Sequence, residues 1–207
     1  MKQKTSYTFL NYLCSRAALM NIVLPLALYY VGFYLFDIGI ALILSAAWAV
    51  FLAIQVKNRQ TTLSVALMIL LSGACHYLFL QHPAWLPVQQ EDVFLSLTGS
   101  LTVVLVFLFY SLRGQPVIQN FAEQARPQLT ELSIYGSPQY QRVWQEISLI
   151  WIIVYLFKAI LIYLLYHLNN TSLNLVLFIA SWPLTIAMIF FSVRWPRYRW
   201  YRSSDKT

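Results

Sequence analysis

Two apolar runs, residues 17–36 and 38–56, meet at Asp37 with almost no loop between them. Each is about 20 residues long, and at ~1.5 Å per residue a helix of that length crosses the ~30 Å hydrocarbon core of a bilayer. A charge at the joint of two such runs belongs at a membrane surface, on the tip of a tight helical hairpin. The same unit recurs at residues 61–80, 93–112, 147–166 and 173–193. Barrel strands need only about 10 residues and alternate in polarity, so strands are excluded. With 59% hydrophobic and 10% charged residues in 207, the chain is too apolar for a soluble domain. The expected fold is all-α: one polytopic transmembrane domain over 1–207 with six membrane-spanning helices. The first run is too long for a cleaved signal, and no small-x-small site follows it, so it reads as a retained span. Cys14 and Cys75 suggest no disulfide framework.

Threading six spans separates the charges. Lys2, Lys4, Arg16, Lys57, Arg59, Arg113, Arg126, Arg142, Arg194, Arg197, Arg199, Arg202 and Lys206 fall on one side, and Asp37, Glu91 and Asp92 on the other. The remaining cation, Lys158, lies inside the fifth span. Basic loops stay cytoplasmic, so both termini are expected there. Net charge of +7 therefore points to the anionic cytoplasmic leaflet rather than to nucleic acid.

The loops carry start and stop signals. Asp37, Asp92 and Thr171 or Ser172 suit the caps of the helices that follow them. The outer loop 81–92, with Pro83 and Pro87, is expected to be extended. In the inner loop 113–145, Val117, Ile118, Phe121, Ala122 and Ala125 recur at helical spacing between Pro116 and Pro127. That pattern predicts a short amphipathic helix flat on the inner leaflet, with Phe121 buried and Glu123 exposed.

Polar residues within the spans form stripes at 100° per residue. Asn21, Pro25, Tyr29 and Gly32 share a face of the first span; Ala41, Ser45, Trp48 and Gln55 share one of the second. Thr61, Ser72, Cys75 and His76 cluster on the third, and Ser96, Gly99, Ser100, Tyr110 and Ser111 on the fourth. The fifth carries Ser148, Trp151, Tyr155 and Lys158, and the sixth Asn174, Ser181, Thr185 and Ser192. Such faces either pack helix on helix or line a hydrated conduit. Pro25 and Pro183 lack N–H groups, freeing the carbonyls of Asn21 and Ile179 and favouring kinks.

Lys158 is the deepest ionisable side chain besides His76, about 18 Å along the helix from Glu146. It either snorkels beside Tyr155 and Tyr163, pairs with an acid such as Asp37, or serves a cargo. His76, His82 and His167 lie on the outer half without ligand spacing, so no metal is assigned. No HExxH, P-loop, GxSxG or paired-acid motif occurs, and neither an enzyme nor a cofactor is expected. The tail interleaves Arg194, Trp195, Arg197, Arg199, Trp200 and Arg202, which reads as an interfacial lipid anchor.

Several stretches carry a family resemblance: Leu24-Pro25-Leu26 leading to Phe36-Asp37-Ile38, Gln55 to Arg59, Arg113-Gly-Gln-Pro116-Val-Ile-Gln119, and Trp144 to Trp151. Over roughly residues 20–200 the chain resembles the bacterial septation protein A, or inner membrane-spanning, family. The resemblance implies an inner-membrane protein of envelope biogenesis and membrane integrity, linked to cell elongation and division. It implies partners among membrane lipids and other envelope membrane proteins, and supplies no molecular activity. The residues and the resemblance together give Asn21, Pro25, Asp37, Arg113, Pro116, Trp144, Trp151, Lys158 and Pro183 as structural or functional candidates, Lys158 from its depth in the span and not from the family pattern. A small transporter or lipid-handling protein using the polar stripes and Lys158 is the alternative.

Overall fold

The computed structural model describes residues 19–55, 59–81 and 87–204, and every regular element in them is helical. A π-helical turn Leu19–Val23 leads into α1 (Leu24–Leu35), followed by α2 (Ile38–Gln55), α3 (Arg59–Gln81) and α4 (Glu91–Leu112). Then come α5 (Val117–Ala125), a 3-10 turn Pro127–Glu131, α6 (Pro138–His167), α7 (Leu173–Ile179) and α8 (Trp182–Ser204). Among the described residues, four stretches are long and apolar enough to cross a membrane: Leu63–Gln81, Glu91–Leu112, Pro138–His167 and Leu173–Trp200. Leu24–Leu35 and Gly39–Trp48 are shorter apolar stretches, the second a part of the 18-residue α2. Cys14, His82, Pro83 and the cations at 2, 4, 16, 57 and 206 lie outside the described residues, as do the side chains of Asn21, Gln55, Thr61 and Arg202.

The chain forms two compact units. The first comprises residues 19–74 with 120–133, and its centre is the α1–α2 hairpin. Asp37 caps α2 as expected, its Oδ1 accepting the Ile40 N–H at 2.9 Å. The hairpin closes at Gly32, where a Cβ would stand 2.8 Å from the Ala41 Cα. Only a residue without a side chain lets the two backbones approach so closely. The expected polar faces of the first two spans thus meet each other, with Pro25, Gly32, Ala41 and Ser45 all buried.

Pro25 acts one register away from expectation. The turn before it is π-helical, so the carbonyl that a residue-25 N–H would serve is that of Met20 rather than Asn21. Trp48 Nε1 donates to the Met20 carbonyl at 3.1 Å in its place. The Ser45 hydroxyl donates to the Pro25 carbonyl at 3.2 Å.

The second unit comprises residues 75–119 and 134–204, built on α4 packed along α6. Arg113–Gln115 ends α4 in a Schellman turn: Gly114 takes φ +69°, and the Gln115 and Gly114 N–H groups reach the Tyr110 and Ser111 carbonyls. Asn169, at φ +47°, closes α6 in the same way, with Asn170 and Asn169 N–H groups on Leu165 and Tyr166.

Several boundaries differ from the sequence expectation. Helix α6 begins at Pro138, nine residues before the apolar run, because Ser137 caps it by accepting the Tyr140 N–H at 3.2 Å and Pro138 suits the first turn. The last span is broken rather than bent. Pro183 sits in the first turn of α8, residues 180–181 form a turn, and the Ser181 hydroxyl donates to the Phe178 carbonyl at 2.6 Å. Asp92 lies inside the first turn of α4 instead of capping it, and Asn170 Oδ1, not Thr171 or Ser172, accepts at the α7 turn, from the Ser172 N–H at 2.8 Å. Helix α5 forms over the expected residues, but Val117 and Ile118 are its buried positions, while Phe121 and Glu123 are both half-buried.

Candidate functional site

The long axis of α6 organises the second unit. Tyr140, Val143, Trp144, Ile147, Ser148, Trp151, Tyr155, Ala159 and Ile162 are buried at three- and four-residue spacing, one continuous stripe of the helix. Toward its C-terminal end Ile162 packs with Val88, Val93 and Leu173.

Along the middle of the stripe every polar position meets a polar partner. Ser111 Oγ on α4 donates to Ser148 Oγ at 2.6 Å, and Gln145 Nε2 donates to the Ser111 carbonyl at 3.1 Å. One helical turn onward, Trp151 Nε1 donates to Ser192 Oγ on α8 at 2.9 Å. A further turn brings the Tyr155 hydroxyl within 3.0 Å of Thr185 Oγ1. The Trp151 ring also stacks between Phe107, at 5.3 Å, and Tyr155, at 5.4 Å. Ser192 and Thr185 hold their own hydroxyls by donating back to the Met188 and Ser181 carbonyls. Three of the predicted stripes therefore converge on one ladder of hydroxyls and aromatic donors. Asn174 departs from its stripe because the helix breaks before Ser181; it is exposed and lines a shallow open depression with Gln90, Glu91, Asp92 and Leu95.

Lys158 stands one turn beyond Tyr155 and is half-buried. Its Nζ lies 5.5 Å from the centroid of the Tyr155 ring, a cation–π approach. His76 Nε2 on α3 meets Glu91 Oε1 at the start of α4 at 3.0 Å, and no group of three or more metal-ligating side chains occurs among the described residues.

The other end of α6 is where the sequence reading missed most. At ~1.5 Å per residue its 30 residues extend about 45 Å, longer than a ~30 Å hydrocarbon layer, and the polar turns before Ile147 precede its apolar run. Helix α8 likewise continues through Pro196 to Ser204. There Glu146 becomes a receptor for the tail: Arg199 Nε donates to Oε2 at 3.0 Å, Arg199 Nη2 donates to Oε1, and Trp195 Nε1 donates to Oε2 at 3.3 Å. The Arg199 hydrogen bonds hold the Glu146 carboxyl below its ordinary range, against the opposing effect of burial; the Trp195 bond and the charges of Arg199 and Arg142 act in the same direction as Arg199. Trp200 stacks on Tyr140 at 5.6 Å and meets Trp144 edge-on at 6.3 Å. Trp144 is 2% exposed, and its Nε1 has no hydrogen-bond partner among the described residues.

Of the residues singled out from sequence, Trp144 and Trp151 are core of the second unit, Pro116 is buried before α5, and Arg113 is exposed with its guanidinium 4.5 Å over the Phe109 ring. Trp195, Arg199 and Trp200 face α6, whereas Arg194 and Arg197 are exposed. Glu146 was signalled only by its place four residues after Arg142 and next to the apolar run. No protein-family model, curated protein or solved structure matches the chain.

Proposed function

We propose that this membrane protein is a non-enzymatic, six-span protein of the bacterial inner membrane, both termini cytoplasmic, that supports envelope biogenesis and membrane integrity by contacts with other membrane proteins. The observation that carries the reading is the ladder Ser111–Ser148, Trp151–Ser192 and Tyr155–Thr185. Its hydroxyls and indole are used up in holding α4, α6 and α8 to each other, which is what a packed scaffold needs. The resemblance to septation protein A supplies the envelope role and the link to elongation and division. The one-sided placement of Arg and Lys supports the six-span threading and an anionic-lipid partner at the cytoplasmic face. Helix α2 has 18 residues, about 27 Å, whereas α1 has 12, so the six-span count rests on α1 continuing into the apolar residues before it.

A second reading, a small transporter or lipid-handling protein, draws on Lys158, an amine half-buried within an apolar helix. Lys158→Met separates the two. In a scaffold the substitution replaces a costly amine by an apolar side chain of similar length, so stability holds or rises and complementation of a deletion strain persists. A folded Lys158→Met protein that fails to restore envelope integrity and cell shape would overturn the scaffold in favour of transport.

A further inference from the structure

The tail divides into two faces that do different work. At 100° per residue, Arg194, Arg197 and Tyr198 lie within about 100° of one another on α8, and Trp195, Pro196, Arg199 and Trp200 occupy the opposite side. The second face is bound to α6: Pro196 is buried, Trp195 and Trp200 are half-buried, and Arg199 is paired with Glu146. On the first face Arg194 and Arg197 are exposed, and Tyr198 is 55% exposed.

Depth gives that open face its partner. The apolar run ends at Val193. At ~1.5 Å per residue Arg194 stands at the hydrocarbon boundary and Arg197 about 4.5 Å beyond it, both within a headgroup layer about 5–7 Å thick. Arg199 lies deeper in water and is already neutralised by Glu146. Two exposed guanidiniums without an ion pair among the described residues, at phosphate depth and beside a tyrosine suited to the interface, fit phosphate-bearing lipid and little else.

We propose that Arg194 and Arg197 form a docking surface for anionic phospholipid headgroups, and that Arg199, despite belonging to the same run, takes no part in it. The proposal rests on α8 crossing the membrane and not on the scaffold role, so each can fail without the other.

The test is the association of spin-labelled phosphatidylglycerol, relative to phosphatidylcholine, with the full-length protein in proteoliposomes. A basic residue near a charged surface contributes about fivefold. The native protein should prefer phosphatidylglycerol several-fold. Arg194→Gln with Arg197→Gln should remove most of that preference, and Arg194→Lys with Arg197→Lys should keep it. Arg199→Gln should also keep it, while making the tail easier to cleave with protease. The proposal is overturned by a native protein without preference, by a glutamine pair that retains it, by a lysine pair that loses it, or by an equal loss in Arg199→Gln.

Discussion

Ser192→Ala distinguishes a packed ladder from a hydrated one. Ser192 is 9% exposed and Trp151 6%, and the hydroxyl both donates to the Met188 carbonyl and accepts the Trp151 Nε1–H at 2.9 Å. Alanine leaves the helix backbone intact and strands the indole N–H. Interhelical hydrogen bonds in membranes are worth about 0.6 kcal/mol on average and up to about 1.7, and a stranded buried donor costs about 1–3 kcal/mol. We therefore expect a loss of about 1 kcal/mol. Water in a hydrated conduit would replace the hydroxyl, and the loss would fall to a few tenths of a kcal/mol. Trp151→Phe also removes the bond but adds a packing defect, so the double-mutant cycle is the clean measure. Reversible unfolding of the wild type, both single variants and the double variant in mixed micelles should give a coupling of at least about 0.5 kcal/mol. Additive losses would refute the claim that this bond joins α6 to α8.

Three further outcomes are expected. Gly32→Ala should destabilise the hairpin by about 1–3 kcal/mol of overpacking, although alanine's helix propensity favours it by about 1 kcal/mol; unchanged or improved thermal stability in detergent would show that α1 and α2 do not meet at Ala41. Because Arg199 holds the folded Glu146 carboxyl below the ordinary 4.5, the tail contact is fully present above that value and is lost as pH falls through the lower folded one. Protease sensitivity of residues 197–204 should accordingly stay flat from pH 8 to about 5 and rise only in stronger acid, whereas Glu146→Gln should show the loosened tail at neutral pH. With Cys14 and Cys75 replaced, a cysteine at Gln124 should react from the cytoplasmic side only, and labelling from outside would break the topology.

The helical class and the stripes were legible because lipid leaves the backbone few options. A helix satisfies its own N–H and C=O groups, so long apolar runs are helices whatever their neighbours do. For the same reason weakly polar side chains in those runs had to find partners, and Ser148, Trp151 and Tyr155 could be placed on one face before any partner was known. Proline and capping chemistry are equally local, which is why Asp37 and the ends of α5 were readable while the tertiary contacts that shift a register were not. At the π turn before Pro25 the Met20 carbonyl is met by Trp48, 28 residues away. The start of α6 was hidden because Gln139, Gln141, Arg142 and Gln145 lower the hydropathy that marked the spans, although Tyr140, Val143, Trp144 and Ile147 already had helical spacing.

Composition and periodicity alone settled an all-helical chain with runs fit to cross a membrane, since those properties follow from solvent and backbone. Which stripe meets which was decided only in three dimensions. The tail shows why: nine residues from Arg194 to Arg202 look uniform as a run of cations and aromatics. Helix α8 turns Trp195, Arg199 and Trp200 toward Glu146, Tyr140 and Trp144, and Arg194 and Arg197 away from them. A charge's role depends on whether a partner some fifty residues distant lies within hydrogen-bond reach, and that is a property of packing, not of the local sequence.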